Sequence, residues 1–272
     1  MTKIALVTLM KNHSDLTMAL IDSINTNENY DFKYLIIWIA DTGSEQIEKD
    51  IIKEYISKIH LDIHYIEYDY YNFAKINNDI IKNHVDKDTE LICLCNNDVQ
   101  IINNAITKAV NVYNKFENIG TVGSLLLYPN FTIQHGGIAL FYNNGIYNFT
   151  HLLLKEKYNK EFKNTYITWG NTGAFMLTSY EDYINIGGLN EKYEYCFEDV
   201  EYNLRLLQEG KVNLTCYDAL CFHKESSTRH QKMSINDVNR IRNFCSSINV
   251  WNIKEKILNK IDVNKAKKQT KQ

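Results

Sequence analysis

Between residues 3 and 127, continuous apolar runs alternate with amphipathic stretches, and this alternation restricts the fold more than any other feature of the chain. The segments "KIALVTLM", "YLIIWIA", "DIHYIEY", "ELICLCN" and "GTVGSLLLY" read as strands. Between them, "SDLTMALIDSI", "SEQIEKDIIKEYISKI", "AKINNDIIKNH" and the stretch from Asn104 to Phe116 read as helices. The first helix takes Ser14 as its cap and places Leu16, Ala19, Leu20 and Ile24 at helical spacing. The second presents Ile47, Ile51, Tyr55 and Ile59 as one stripe. Strands apolar on both faces, alternating with helices, belong in a mainly parallel sheet covered on both sides. The predicted class is therefore α/β. Ligands of such sheets sit outside the carboxyl ends of the strands, and Asp41, Asn72 and Asp98 all fall there.

The second half changes character. The pattern from Tyr128 to Gly170 is irregular, with "QHGGI", "NNG" and several aromatics. It is followed by a strand in "GNTGAFMLTS", a short helix in "YEDYINIGG", a helix in "FEDVEYNLRLLQEG" and one or two strands in "KVNLTCYDALCFH". No linker or repeat interrupts the chain, so one domain is expected over 1–230, with halves 1–127 and 128–230. A helical extension is expected over 231–262, and a solvated lysine-rich tail over 263–272.

Composition narrows the functional classes. With 44% hydrophobic residues among 272 and a net charge of -3, the chain can bury a full core and gives no general electrostatic case for nucleic acid. Its six cysteines contain no CxxC pair and suit reduced core thiols. "MTKIALVTLM" is too short in its apolar stretch for a signal peptide, and no segment approaches a membrane-spanning length. The expected location is cytoplasmic.

Three places carry the candidate chemistry. In "LICLCNNDVQI" an apolar run stops at Asn96-Asn97-Asp98 and resumes at Val99. A turn explains the amides, and a binding site at the end of a core strand explains the carboxylate as well. A lone strand-end Asp is more often structural; as a cation ligand it would be one of few, because Mg²⁺ and Mn²⁺ at phosphate sites take much of their shell from water and phosphate. Glu198 and Asp199 open an amphipathic helix on which Val200, Leu204 and Leu207 face inward. Acidic residues there complement the helix dipole, and the same placement suits a general base. His223 ends an apolar strand, and an imidazole there gains meaning only by converging with Asp98.

Taken together, "IADTGS" (39–44), "NFAKINN" (72–78), "CNNDV" (95–99), "GAFMLTSYEDYINIGGLNEKYEYCFEDVEYNLRL" (173–206) and "CFHKESST" (221–228) resemble glycosyltransferase family 2 in order and spacing. The rhamnosyltransferase-like branch is most similar. The resemblance implies a GT-A fold: a mainly parallel sheet flanked by helices, forming a single Rossmann-like nucleotide-binding domain with an acceptor-binding C-terminal half. It implies an inverting, metal-dependent transferase moving a sugar from a dTDP- or UDP-sugar to a hydroxyl of a glycan or glycolipid, in surface polysaccharide synthesis. By the same resemblance Thr8 and Asp41 contact the nucleoside, and Asn72, Lys75, Asn77 and Asn97 lie on the nucleotide-sugar side. Asp98 and His223 hold Mn²⁺ or Mg²⁺, and Asp199 is the base with Glu198 beside it. Asn96-Asn97-Asp98 then looks like a variant of the family's Asp-x-Asp metal motif, with an amide in the first position. Gln134, His135, His151, Trp169 and Asn171 are candidates for acceptor or sugar contacts. A lipid-linked acceptor would place the protein peripherally at the inner face of the membrane.

Two other readings compete. A catalytically silent nucleotide- or sugar-binding protein would keep the fold without the reaction. A sugar-phosphate nucleotidyltransferase would need a glycine- and arginine-rich phosphate loop after the first strand, and "TLMKNHSD" is neither.

Overall fold

The computed structural model describes residues 2–224, 234–248, 250 and 252–253. The predicted lysine-rich tail at 263–272, most of the predicted extension beyond 248, and the end of "CFHKESST" lie outside the described residues.

The front half builds β1 (Ile4–Met10), α1 (Ser14–Asn27), β2 (Leu35–Asp41), α2 (Gln46–Ile56), β3 (Asp62–Glu67), α3 (Phe73–Asn83), β4 (Leu91–Cys95), β5 (Val99–Ile102), α4 (Ala105–Lys115) and β6 (Ile119–Leu127). The back half adds β7 (Ile133–His135), β8 (Ile138–Asn143), β9 (Ile146–His151), β10 (Thr165–Thr168), β11 (Phe175–Ser179), α5 (Tyr180–Asn185), α6 (Glu198–Gln208), β12 (Val212–His223) and α7 (Ile235–Ser247). The main sheet runs β10-β12-β6-β11-β4-β1-β2-β3, with β5 joined to β12 and β7 to β6. β1 pairs in parallel with β2 and β4, β2 with β3, and β6 with β12. Because β11 is antiparallel to both β4 and β6, β4 and β6 point the same way. The carboxyl ends of β1, β2, β3, β4, β6 and β12 therefore share one edge, and β11 begins on it.

The strand residues explain the layers. All seven residues of β2 and all five of β4 are buried, as expected of strands covered on both faces. Ile4, Leu6 and Met10 of β1 pack with Leu20 and Ile24 of α1 and Ala105 and Ala109 of α4. Ala5 and Val7, on the opposite face, pack with Ile76 and Ile80 of α3 and Tyr202 and Leu206 of α6. A third cluster joins Val200, Leu204 and Leu207 of α6 to Ile241 and Cys245 of α7. α7 thus belongs to the packed body, and truncating Leu204 to alanine there would cost about 2–5 kcal/mol. All six cysteines are free thiols.

Several expectations are corrected. Ile47 and Ile51 of α2 are 65% and 40% exposed, while Ile52 is fully buried and Tyr55, Ile56 and Ile59 pack on the core. The expected stripe holds at Tyr55 and Ile59, but its first half does not: Ile52 and not Ile47 or Ile51 enters the core. Ser14 is not the cap of α1; His13 takes that position in the left-handed region, and Glu48 of α2 accepts the Ser14 amide hydrogen at 2.8 Å. The stretch read as irregular contains four strands, including the β8–β9 hairpin. Its turn places Asn144 and Gly145 at positive φ, the conformation that Asn-Gly favours in tight hairpins.

Candidate active site

The break in the apolar run at Asn96 is a turn between two strands that serve different partners. β4 continues the parallel sheet, whereas β5 turns back and pairs antiparallel with the end of β12, setting Val99 opposite His223. The Asn96 amide donates to the Ala174 carbonyl at 3.1 Å, the Val99 amide to the Asn96 carbonyl at 3.2 Å, and the Lys224 amide to the Asp98 carbonyl at 3.1 Å. This register brings Asp98 Oδ1 and His223 Nε2 to 3.1 Å, each side chain 9% exposed.

Gln134, entering on β7, fixes the imidazole. Its Oε1 lies 2.5 Å from His223 Nδ1; an amide oxygen only accepts, so the proton sits on Nδ1. Nε2 then faces Asp98, with the Asn96 amide nitrogen 3.3 Å away. His151 Nδ1 reaches the Gln134 carbonyl at 3.1 Å, and its ring stands edge-on to that of His135 at 4.6 Å. The Thr172 amide donates to His135 Nε2 at 3.4 Å. Burial, then the neighbouring His151 and His223, hold the His135 pKa well below its ordinary value near 6.5.

Asp199 approaches the same edge from the start of α6. Its Oδ2 accepts the Gly173 amide hydrogen at 2.9 Å and its Oδ1 that of Val200 at 2.7 Å. Glu198 beside it is buried. A Cβ at Gly173 would come within 3.2 Å of the Phe73 ring and 3.9 Å of Asp199 Cβ, so a side chain there would press on Phe73. Residues 173 and 174 bridge the two halves of the site: Gly173 holds Asp199, and Ala174 holds Asn96.

Asp41 is fully buried, its Oδ1 accepting from the Gly43 and Ser44 amides and its Oδ2 from the Tyr65 hydroxyl. These bonds shape the turn at the carboxyl end of β2, as an Asx turn does. Asn72 caps α3, accepting from the Lys75 amide, and donates to the carbonyls of Glu191 and Tyr193. Asn97 is buried, with its amide donating to the Thr17 hydroxyl on α1. Thr8 and Asn77 are fully buried; Thr8 Oγ1 and Asn77 Oδ1 have no hydrogen-bond partner among the described residues. Lys75 is exposed, its ammonium 4.6 Å from the Tyr70 ring centroid. Trp169 packs half-buried on the third cluster. Asn171 is fully buried and accepts from Thr215 while donating to Thr121 and to the Leu214 carbonyl.

No family model matches the chain. It is 25% identical over 233 residues to the O-antigen biosynthesis protein RfbC of Myxococcus xanthus, covering 84% of this chain and 18% of that protein. It is 26% identical over 163 residues to an uncharacterised protein of Sinorhizobium fredii, covering 58% of this chain and again 18% of the relative. The chain thus spans less than a fifth of the length of these curated relatives. Among solved structures, GalNAc-T7 with UDP, GalNAc and Mn²⁺ superposes with a TM-score of 0.68 at 11% identity, covering 88% of this chain and 47% of that one. The mannosyltransferase PcManGT from Pyrobaculum calidifontis, in complex with GDP-Man and Mn²⁺, gives 0.61 at 12%, covering 83% and 58%. Residues 1–349 of S. aureus TarS give 0.57 at 12%, covering 82% and 60%.

The chain has the GT-A fold. Within this GT-A sheet, the donor chemistry at the carboxyl edge fits a divalent cation: a carboxylate oxygen and an imidazole nitrogen face each other, and Gln134 binds the opposite ring nitrogen, as outer partners of metal-bound histidines do. No group of three or more His, Cys, Asp or Glu residues shaped to hold a metal occurs among the described residues; a cation here would draw the rest of its shell from water and phosphate. The sequence assigns no role to Gly173, whose backbone amide donates to Asp199, or to Asn203 and Asp237, whose side chains hydrogen-bond to α6 and to the loop before it. Gly173 lay inside a quoted motif, and "GNTG" is a signal for close backbone approach. Asn203 and Asp237 carry no local signal, because their partners are distant in sequence.

Proposed function

We propose that the protein is an inverting, metal-dependent glycosyltransferase that moves a sugar from a dTDP- or UDP-sugar to a hydroxyl of a glycan or lipid-linked acceptor, in surface polysaccharide synthesis. The observation that carries this reading is the convergence of Asp98 and His223 at 3.1 Å on the edge where Gly173 also holds Asp199 at 2.9 Å. In support, two neighbours of this fold were solved with a nucleotide or nucleotide sugar and Mn²⁺, and one sequence relative is an O-antigen biosynthesis protein. The rhamnosyl subclass and family 2 membership are part of the proposal, on the motifs given above.

Asp98 and His223 would hold Mn²⁺ or Mg²⁺, which supplies Lewis-acid neutralisation of the charge left on a departing diphosphate. Asp199 accepts the proton of the acceptor hydroxyl as the new glycosidic bond forms. Its two backbone donors orient the carboxylate and leave each oxygen a further lone pair for that proton. Attack from the face opposite the leaving diphosphate inverts the anomeric centre and needs one base, as in inverting glycosidases with an acceptor hydroxyl in the place of water. Lys75, exposed at the start of α3, offers a cation to the donor's phosphates. Thr8 and Asp41 border the nucleoside, while Asn72, Asn77 and Asn97 support that wall. Among the described residues no helix is long and apolar enough to cross a membrane; peripheral attachment to the inner face follows only if the acceptor is lipid-linked.

The test is a thermal-shift screen against UDP, dTDP, GDP and CMP, each with Mn²⁺ or EDTA. A ligand that binds only the folded state raises its melting temperature. Mn²⁺-dependent stabilisation by UDP or dTDP is expected; no shift with any nucleotide, on folded protein, refutes the transferase reading.

A further inference from the structure

The loop that delivers Asp199 is held from outside the sheet. Residues 189–197 carry no regular structure, and Glu191, Lys192, Glu194 and Tyr195 are exposed. Four side chains tie this loop down, and Asn78 holds its start by donating to the Leu189 carbonyl at 2.8 Å and accepting from the Leu189 amide at 2.9 Å. Asn72 takes the Glu191 and Tyr193 carbonyls, and Glu201 accepts both bonds of the Asn190 amide at 3.0 Å. Asp237, in the first turn of α7, takes the three amides nearest the catalytic helix. Its carboxylate accepts from Glu194 at 3.0 Å, Tyr195 at 2.8 Å and Cys196 at 3.2 Å. Asp237 is fully buried. A buried carboxylate is costly unless several donors converge on it, and here three consecutive N–H groups do so.

The next residue explains what the clamp secures. Phe197 caps α6 at φ 74°, a conformation that non-glycine residues hold only where the surroundings over-determine it. Asp237 fixes the chain just before Phe197, and the Asp199–Gly173 bond fixes it just after. We propose that Asp237 is a positioning residue for Asp199: by holding the amides of 194–196 it keeps Phe197 in the left-handed region and the Asp199 carboxylate on Gly173. The inference rests on the reading of Asp199 as the base. It also makes α7 part of the catalytic unit and not an appendage to it.

The test compares wild type with Asp237→Asn, whose amide sets an N–H donor against the same backbone donors. Without any sugar donor, hydrogen exchange at 194–196 and at Gly173 is expected to quicken by at least about tenfold, with the β4 amides unchanged. Faster exchange at 194–196 with Gly173 still protected overturns the proposal. With Mn²⁺ and UDP-glucose or dTDP-rhamnose, kcat for diphosphate release is expected to fall at least about tenfold, while KM for the donor stays within about twofold. An unchanged kcat overturns the proposal, and so does a loss confined to KM. If wild type turns over neither donor, the thermal-shift screen decides the transferase reading and the exchange experiment alone decides the role of Asp237. Should the variant not fold, wild-type exchange decides instead: the amides of 194–196 and Gly173 must open together, and independent opening refutes the coupling.

Discussion

His223 Nε2 and Asp98 Oδ1 lie 3.1 Å apart because β5 turns back from the parallel sheet to pair with the last residues of β12. The pair is built by strand register. Asp98 sits in the turn that starts β5, Val99 pairs with His223, and Gln134 binds the far ring nitrogen. A one-residue slip would turn the imidazole to the other face of the sheet.

Replacing Asp98 with alanine should therefore remove metal-dependent nucleotide binding and leave the fold in place. The Kd for UDP with Mn²⁺ is expected to rise by about tenfold or more, equivalent to about 1.4 kcal/mol, while the much weaker binding in EDTA stays unchanged. Titration calorimetry of both proteins with and without Mn²⁺ checks this. Equal affinity with Mn²⁺ would exclude Asp98 as a cation ligand.

Asp199→Asn separates transfer from binding. The amide oxygen can still accept from Gly173, so the loop keeps its tether, but the side chain no longer takes a proton. Turnover is expected to fall by about 10²–10⁴, the range for loss of a general base, with UDP affinity within about twofold. Steady-state rates and UDP titrations on the same preparations give the answer, and undiminished turnover removes Asp199 from the base role.

The strand ends were legible because burial on both faces leaves continuous apolar runs, and a polar residue closing such a run is conspicuous. Asp98 and His223 became candidates that way, whereas Asp199 became one at the start of an amphipathic helix. The family resemblance paired Asp98 with His223, but the way β5 leaves the parallel sheet to bring them together is a matter of register that residue types do not encode. Asp41 and Asn72 show that one signal has two meanings. Asp41 closes β2 and Asn72 precedes α3, and in the structure Asp41 also shapes the turn at Gly43 and Ser44 while Asn72 also caps α3. The residue types suited to binding a ligand are the same ones suited to closing a turn or a helix. The first half of the α2 stripe was misread for a simpler reason: Ile47, Ile51 and Ile52 are equally apolar, and only the packing of α2 decides which of them is covered.

Asn203 should prove structural out of proportion to its size. Its Oδ1 accepts from the Thr121 hydroxyl at 2.7 Å and the Asn171 amide at 3.2 Å; its Nδ2 donates to the carbonyls of Asn171 at 2.9 Å and Asp199 at 2.7 Å. Asn203→Leu leaves these groups buried without their partner, at about 1–3 kcal/mol for each stranded group. The urea midpoint is expected to fall by the equivalent of about 3 kcal/mol or more, with an unchanged m-value. A midpoint within error of wild type would mean that the surrounding Thr121, Asn171 and Asn213 re-pair among themselves.

His135 gives the protein an acid-sensitive stability whose sign follows from its burial. Desolvation, reinforced by His151 and His223, holds its folded pKa well below the ordinary value near 6.5. Well above pH 6.5 the ring is neutral whether the chain is folded or not, and it contributes no slope. As pH falls below 6.5 the unfolded chain takes up a proton that the folded chain refuses. Stability then drops by up to about 1.4 kcal/mol per pH unit from this one site, until the folded pKa is reached. His135→Gln keeps an acceptor for the Thr172 amide and removes the titration. Urea melts from pH 7.5 to 5.5 should show the variant losing less stability than wild type across the acid half of that range. Parallel curves would assign the acid slope to other groups, since a neutral side chain at 135 cannot bind the proton that drives it.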